Sequence, residues 1–364
     1  MGTIFFTGFP GFLGASLLPR VVARDPEAKA VCLIQAKFAD LAAEKVAEIE
    51  AVDEALAGRI ELIEGDITRS DLGLDKATLK RLAGEVREIY HLAAVYDLSV
   101  RREVGMRVNV DGTLYVLDFA EGCSGLERLH YVSTCYVSGR YAGIYSERNL
   151  DKGQKFNNFY EETKFLAEVE VQERMAGGLP ATVYRPAIVV GDSRTGETQK
   201  FDGPYYAMRW VMRQPWLAVL PVVGDPNRTR VNLVPRDFII DAITELSGLE
   251  ASAGKVYQLA DPEPLTVDEL LDEVALATRR KLVRLPLPLF AAKAAIDYAP
   301  LVGRILQIPS SSVDYFVHPT HYTSTQTRAD LADSGIAVPP LPTYLSRLVD
   351  YMRRHPEVGS DAMV

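Results

Sequence analysis

Three cysteines in 364 residues are too few, and odd in number, for a disulfide scaffold. Cys32, Cys123 and Cys135 are therefore expected as small buried apolar side chains in a reducing, cytoplasmic setting. An excess of positive charge is also missing. The formal net charge is −9, which excludes general nucleic-acid binding through a basic face. The longest apolar stretch, residues 285–308, is interrupted by Lys293, Asp297, Arg304 and several prolines, so it does not qualify as a transmembrane segment. Weak contact of these late apolar residues with a membrane surface stays open. The opening apolar run, residues 3–6, is too short for a signal peptide. Internal repeats and low-complexity tracts are absent, and no metal site is expected.

What is present supports a sizeable core, with 48% hydrophobic and 24% charged residues. Short runs at residues 3–6, 30–34, 60–63, 88–92, 129–133 and 182–185 read as strands, and most are continuously apolar, as strands covered on both faces are. Helical patterns such as 39–54 and 108–121 lie between them. Repeated strand–helix–strand units predict an α/β fold with a doubly wound, Rossmann-type parallel sheet. Pro19 falls inside the helix after the first strand and predicts a bent or early-weakened helix. After Gly191 the pattern loosens, and strands return at 231–234 and 256–259. The expected division is a dinucleotide-binding domain from 1–195 and 229–262, and a smaller, mainly helical C-terminal substrate cap from 196–228 and 263–364.

Gly8, Gly11 and Gly14 stand directly after the first strand, in Gly8-Phe9-Pro10-Gly11-Phe12-Leu13-Gly14. Glycine permits the tight turn and lets a pyrophosphate approach the backbone, while the helix N-terminus offers free N–H groups. At the end of the second strand, where an acid would bind the ribose hydroxyls of NAD, the chain has Gln35-Ala36-Lys37. A neutral residue and a cation suit a 2′-phosphate, which favours NADP(H) over NAD(H), although Lys37 also reads as an ordinary surface lysine. Asp66 and Ile67 follow the third strand, where a carboxylate meets the adenine amino group. Ala93 follows the fourth strand, next to His91, which reads better as a packed histidine than as a base.

Tyr160 and Lys164 lie four apart on one helical face, behind Asn158 as N-cap and Glu161 placed to close a capping box. A nearby ammonium lowers a phenol's pKa and eases proton transfer, and the same lysine suits the nicotinamide ribose. Thr134 is the hydroxyl expected to orient a carbonyl, with Ser133 as its structural neighbour, an assignment that also runs the other way. Asn109 reads either as support for the lysine or as a purely structural residue.

In this order, these residues resemble the extended short-chain dehydrogenase/reductase superfamily. The run Tyr184-Arg185-Pro186-Ala187-Ile188-Val189-Val190-Gly191-Asp192-Ser193-Arg194-Thr195-Gly196 is similar to a segment of its thioester reductase branch. That branch includes fatty acyl-CoA reductases and the terminal reductase domains of carboxylic acid reductases and peptide synthetases. The resemblance implies Thr134, Tyr160 and Lys164 as the catalytic set. It implies the glycine turn, Asp66, Ile67 and the stretch from Pro186 to Ile188 as cofactor contacts. The expected activity is NAD(P)H-dependent reduction of an acyl thioester, delivered on CoA or a carrier protein, to aldehyde or alcohol. Thioester reductases often carry arginine where Gln35 stands. The alternatives are reduction of free aldehydes or ketones, a nucleotide-sugar epimerase or dehydratase, or a non-catalytic NADP(H) sensor.

Overall fold

Continuous runs of Val, Ile, Leu and Phe make strands that are buried along nearly their whole length, and such strands pair in parallel under two layers of helices. The computed structural model describes residues 2–298 and 310–359. In chain order its strands are β1 (Thr3–Thr7), β2 (Lys29–Ile34), β3 (Ile60–Glu64), β4 (Val86–His91), β5 (Arg128–Val132), β6 (Gly143–Tyr145) and β7 (Ala181–Pro186). They continue with β8 (Ile188–Val190), β9 (Leu217–Val222), β10 (Leu233–Pro235), β11 (Val256–Leu259), β12 (Lys281–Pro286) and β13 (Thr320–Tyr322).

Seven of them form one parallel sheet in the order β3-β2-β1-β4-β5-β7-β11. One face is covered by Leu17 and Val21 of the helix Gly14–Val22 and by Ile239 and Ile243 of Arg236–Gly248. The other is covered by Val116 and Ala120 of Gly112–Gly122 and by Ala167 and Val171 of Phe159–Ala176. Each such fully buried side chain contributes roughly 1.5–3 kcal/mol. The sheet is the doubly wound α/β fold expected from the strand pattern.

The order reverses between β1 and β4, which opens a crevice beyond their carboxyl ends. The turn after β1, the segment after β4, Ser133 and Thr134 after β5, and Ala187 after β7 all fall at that end. The helix Gly14–Val22 runs through Pro19 without ending there, and Ala23 N donates to Pro19 O at 3.0 Å. The expected early weakening gives way to packing, because Leu17, Leu18, Val21 and Val22 are all buried in the core.

A separate apolar cluster joins Phe201 and Tyr205, Leu220 of β9, Leu270 and Val274, and Leu345 and Leu348. Beside it β9 pairs in parallel with β12. β13 pairs with β6, and its Tyr322 joins the main core. No helix among the described residues is long and apolar enough to cross a membrane. The late apolar stretch supplies the end of β12 and the helix Leu289–Tyr298, and its residues 299–308 lie outside the described residues. Cys32, Cys123 and Cys135 are buried and unpaired.

Candidate active site

The crevice holds a cavity of about 930 Å³. One end is built by the glycine turn, whose residues from Gly8 to Leu13 all line it. Gly8 has φ +92°, and a Cβ there would sit 2.8 Å from the Ala93 nitrogen. A Cβ on Gly14 would overlap the Gly8 carbonyl oxygen. Any side chain at these positions would push the turn off the end of β4, so the missing Cβ atoms make the close-walled cradle that a pyrophosphate needs. Gly11 N donates to Gly8 O at 3.0 Å, and Ala15 N to Gly11 O at 2.8 Å, starting the helix at the cavity wall.

Gln35 and Lys37 line the same end, where Lys37 Nζ lies 4.9 Å from the Phe38 ring centre, with Lys45 nearby on the wall. Asp66 and Ile67 after β3, Ala93 after β4, and Pro186 and Ile188 at β7 and β8 line the same cavity. The residues present thus fit a nicotinamide dinucleotide, glycine-walled where phosphates lie and small or apolar where rings lie.

Thr134, Tyr160 and Lys164 line this cavity too. Asn158 caps the helix of Tyr160 and Lys164, its side chain accepting from Glu161 N at 3.0 Å. The return half of the expected capping box is displaced by one residue. The Glu161 carboxylate accepts from Asn157 N at 2.8 Å and from the Asn157 side-chain amide, not from Asn158 N. Tyr160 is in the first turn, buried, with the Thr134 hydroxyl as hydrogen-bond partner.

Lys164 Nζ donates to Tyr131 Oη at 2.8 Å and to the Val132 carbonyl at 2.9 Å. Burial lowers its pKa to about 7, against an opposing pull from Glu168. Burial also pushes the Tyr160 phenol above its ordinary value, only partly offset by its bond to Thr134. This reverses the lowered tyrosine pKa expected from spacing, because desolvation dominates and the two donations identified for the ammonium go to β5.

The two hydroxyls, both on the cavity wall, meet different partners. Ser133 Oγ donates to Glu168, whose carboxylate forms a fully buried ion pair with Arg185 at 2.6 Å. Thr134 is the hydroxyl beside Tyr160; its oxygen also accepts from Tyr136 N at 3.2 Å. Asn109 does not reach the lysine. It lies in a π-helical turn, Met106–Asp111, accepting from Val95 N at 2.8 Å and donating to Thr163 Oγ1 at 3.0 Å. It thereby ties the cavity wall at Val95 to the helix of Tyr160. His91 is a packed neutral histidine. Its ring nitrogens meet the Thr7 and Thr113 hydroxyls at 2.7 and 3.0 Å, and burial lowers its pKa to about 3.

Sequence reasoning passed over Tyr131 as a partner of Lys164, although the two-residue period of a strand puts it on the same side as Ser133. It also missed Tyr96, whose ring meets Tyr160 edge-on at 5.0 Å and carries Lys200 Nζ at 4.0 Å on its face. Lys200 in turn pairs with Asp202 at 2.5 Å. Nothing local in the sequence marks these residues, because the chain fold alone brings them together.

The family model described as Male sterility protein matches residues 6–243. Across the whole chain, the structure is similar to the terminal R domain from the myxalamid PKS-NRPS biosynthetic pathway, with TM-score 0.82 and 27% identity, covering 93% of that chain. The nonribosomal peptide synthetase asaC of Aspergillus flavus is 26% identical over 72% of this chain, and the glycine betaine reductase ATRR of Emericella nidulans is 28% identical over 75%. The chain spans about a quarter of the length of these two relatives.

Proposed function

This chain belongs to the male sterility protein family of extended short-chain dehydrogenase/reductases, and we propose that it is a nicotinamide-dependent oxidoreductase that reduces an acyl thioester, carried on CoA or a carrier protein, to an aldehyde or alcohol. The observation that carries this reading is the convergence of Thr134, Tyr160 and Lys164 on the cavity that also holds the glycine turn. The likeness to a terminal R domain, to a longer nonribosomal peptide synthetase and to a longer glycine betaine reductase supports it.

A bound nicotinamide dinucleotide supplies the hydride. Burial keeps the Tyr160 phenol protonated at neutral pH, so Tyr160 holds a proton at Oη for the substrate oxygen as negative charge develops there. Thr134 donates a hydrogen bond to the same oxygen, an interaction that strengthens as the charge grows. Lys164, fixed by Tyr131 and the Val132 carbonyl, lines the same cavity and suits the ribose hydroxyls. Hydride and proton together convert the thioester carbonyl to a hemithioacetal. Breaking its C–S bond, with the hydroxyl proton passing to sulfur, releases the thiol and the aldehyde, which a second hydride and a second proton take to the alcohol.

Gln35 and Lys37, with Lys45 close by, favour a 2′-phosphorylated cofactor, NADP(H), over NAD(H). In this reading residues 1–195 and 229–262 hold the cofactor, and 196–228 with 263–364 cap the substrate. The three buried, unpaired cysteines suit a reducing compartment such as the cytoplasm.

The test is oxidation of NADPH by the purified protein with a panel of acyl-CoA and acyl-carrier substrates, with aldehyde and alcohol products identified. Consumption that stays at background for every thioester overturns the reading.

A further inference from the structure

The small parallel sheet of β9 and β12 turns only one of its faces inward. Along β9 burial alternates, so Ala218, Leu220 and Val222 join the apolar cluster of Phe201 and Leu345, while Leu217, Val219 and Pro221 stand exposed. The register pairs these three with Lys281, Val283 and Leu285 of β12, which are exposed as well. Trp216, 66% exposed, leads into this face, and its carbonyl accepts from Lys281 N at 2.7 Å. Just beyond the end of β12, Phe290 is 77% exposed. These residues lie off the cofactor cavity, and a contiguous exposed apolar strip marks a contact site.

Edge chemistry and charge select the partner. At the outer edge of β9, Val219 N donates to the Gln214 side chain at 2.9 Å, and Val219 O accepts from Gln214 Nε2 at 3.0 Å and Trp210 Nε1 at 2.8 Å. A peptide strand therefore finds no free backbone at Val219, which leaves the face for contact. The chain carries a net charge of −9, yet residues 203–224 and 279–296 contain no Asp or Glu. Arg284 and Lys293 of these segments are paired with Asp268, Asp272 and Asp314. Arg279, Arg280 and Lys281 gather at the Trp216 end of the strip, Arg279 and Lys281 exposed. A second copy pressed onto the same face would bring like charges together. A lipid surface with anionic headgroups over an apolar interior matches the cations, the aliphatic side chains and the indole between them.

We infer that the exposed face of β9 and β12 docks on an anionic lipid bilayer, with Trp216, Val219, Val283 and Leu285 entering the headgroup boundary and Arg279 and Lys281 meeting lipid phosphates. The same lipid charge repels the acidic remainder of the chain, so the protein is held in one orientation. The inference stands apart from the thioester-reductase reading, because its residues lie outside the active site.

The experiment mixes the whole protein with sucrose-loaded vesicles of phosphatidylcholine, alone or with phosphatidylglycerol. Affinity for the anionic vesicles exceeds that for the neutral ones by at least about tenfold at low salt and falls as salt is raised. Tryptophan emission moves to shorter wavelength on binding, and Trp216→Phe removes that shift while Trp210 stays in place. Val219→Glu combined with Val283→Glu lowers the affinity at least about tenfold. Arg279→Glu combined with Lys281→Glu does the same should the first pair fold poorly. No sedimentation with anionic vesicles, an affinity unchanged in both double variants, or a shift that persists in Trp216→Phe overturns the inference. A vesicle-free dimer that Val219→Glu with Val283→Glu dissociates would make a second copy the occupant, and apo-acyl-carrier protein bound by the wild type and lost in that variant would make it a protein. Either result overturns the lipid assignment. NADPH oxidation is read separately, so these failures leave the thioester reading standing.

Discussion

Lys164 is hydrogen-bonded to Tyr131, Nζ to Oη at 2.8 Å, with the Lys164 ammonium 4.4 Å from the centre of the Tyr131 ring. A cation buried in this way is held by an acceptor oxygen and a π face, so its protonation depends on both. Its pKa is lowered to about 7. The ammonium is therefore complete below that pH and is lost as pH rises through it. We expect kcat/KM for the nicotinamide cofactor to fall as pH rises through neutrality. In Tyr131→Phe the charged form loses an acceptor, so the same limb moves to lower pH. A limb that stays in place or moves upward would show that Tyr131 does not set the Lys164 charge.

Tyr160→Phe removes the proton but keeps the ring against Tyr96. Loss of a general acid costs about 10²–10⁴ in kcat, while cofactor binding, followed by quenching of protein fluorescence, changes little. Thr134→Val removes the second donor to the developing charge and should cost about 10²–10³. Full activity in Tyr160→Phe would remove the phenol from the chemistry.

How much of this was legible beforehand depends on the range of the interaction. The parallel sheet follows from apolar runs that are themselves local, and so does the glycine turn, where strand, turn and helix are contiguous. Tyr160 and Lys164 were readable for the same reason, one helical turn apart. The Lys164–Tyr131 bond and the Tyr96–Tyr160 contact join that helix to a strand and a loop distant in the chain. No spacing within the helix encodes them. The sign of the Tyr160 shift was misread because spacing reports a neighbour's charge but not the desolvation that outweighs it. Asn109 was left open between supporting the lysine and a structural role, and the π-helical turn aims its amide at Val95 and Thr163.

Cofactor choice is testable at the end of β2. Lys37→Glu places an anion where the 2′-phosphate would lie, and Gln35→Asp supplies a carboxylate to which the ribose hydroxyls donate. Together they should shift the NADPH-to-NADH ratio of kcat/KM towards NADH by at least about tenfold, or about 1.4 kcal/mol. An unchanged ratio would place the adenosine ribose away from Lys37.

Asn109→Ala leaves the buried Val95 N–H without its partner, while the Thr163 hydroxyl keeps its bond to the Phe159 carbonyl. Unsatisfied buried groups cost about 1–3 kcal/mol, so the melting temperature should drop. Because Thr163 sits in the helix between Tyr160 and Lys164, kcat should fall with it. A variant that melts like the wild-type protein would mean that water replaces the amide.

Glu161 gives the fold its own pH dependence. The carboxyl is fully buried beneath the helix cap, facing Asn157, Tyr315 and Asp314, and burial raises its pKa from the ordinary 4.5 to about 7, with Asp314 adding to the rise. A carboxyl that holds its proton more tightly in the folded state contributes its full stability below 4.5. That contribution is lost as pH rises through about 7. Glu161→Gln keeps a neutral group of the same shape at every pH. Thermal melts between pH 4.5 and 7 should therefore decline for the wild-type protein and run flatter for the variant, the two curves separating most at the upper end. Parallel curves would mean that Glu161 is ionised throughout that range in the folded protein, with Asn157 and Tyr315 satisfying a buried carboxylate.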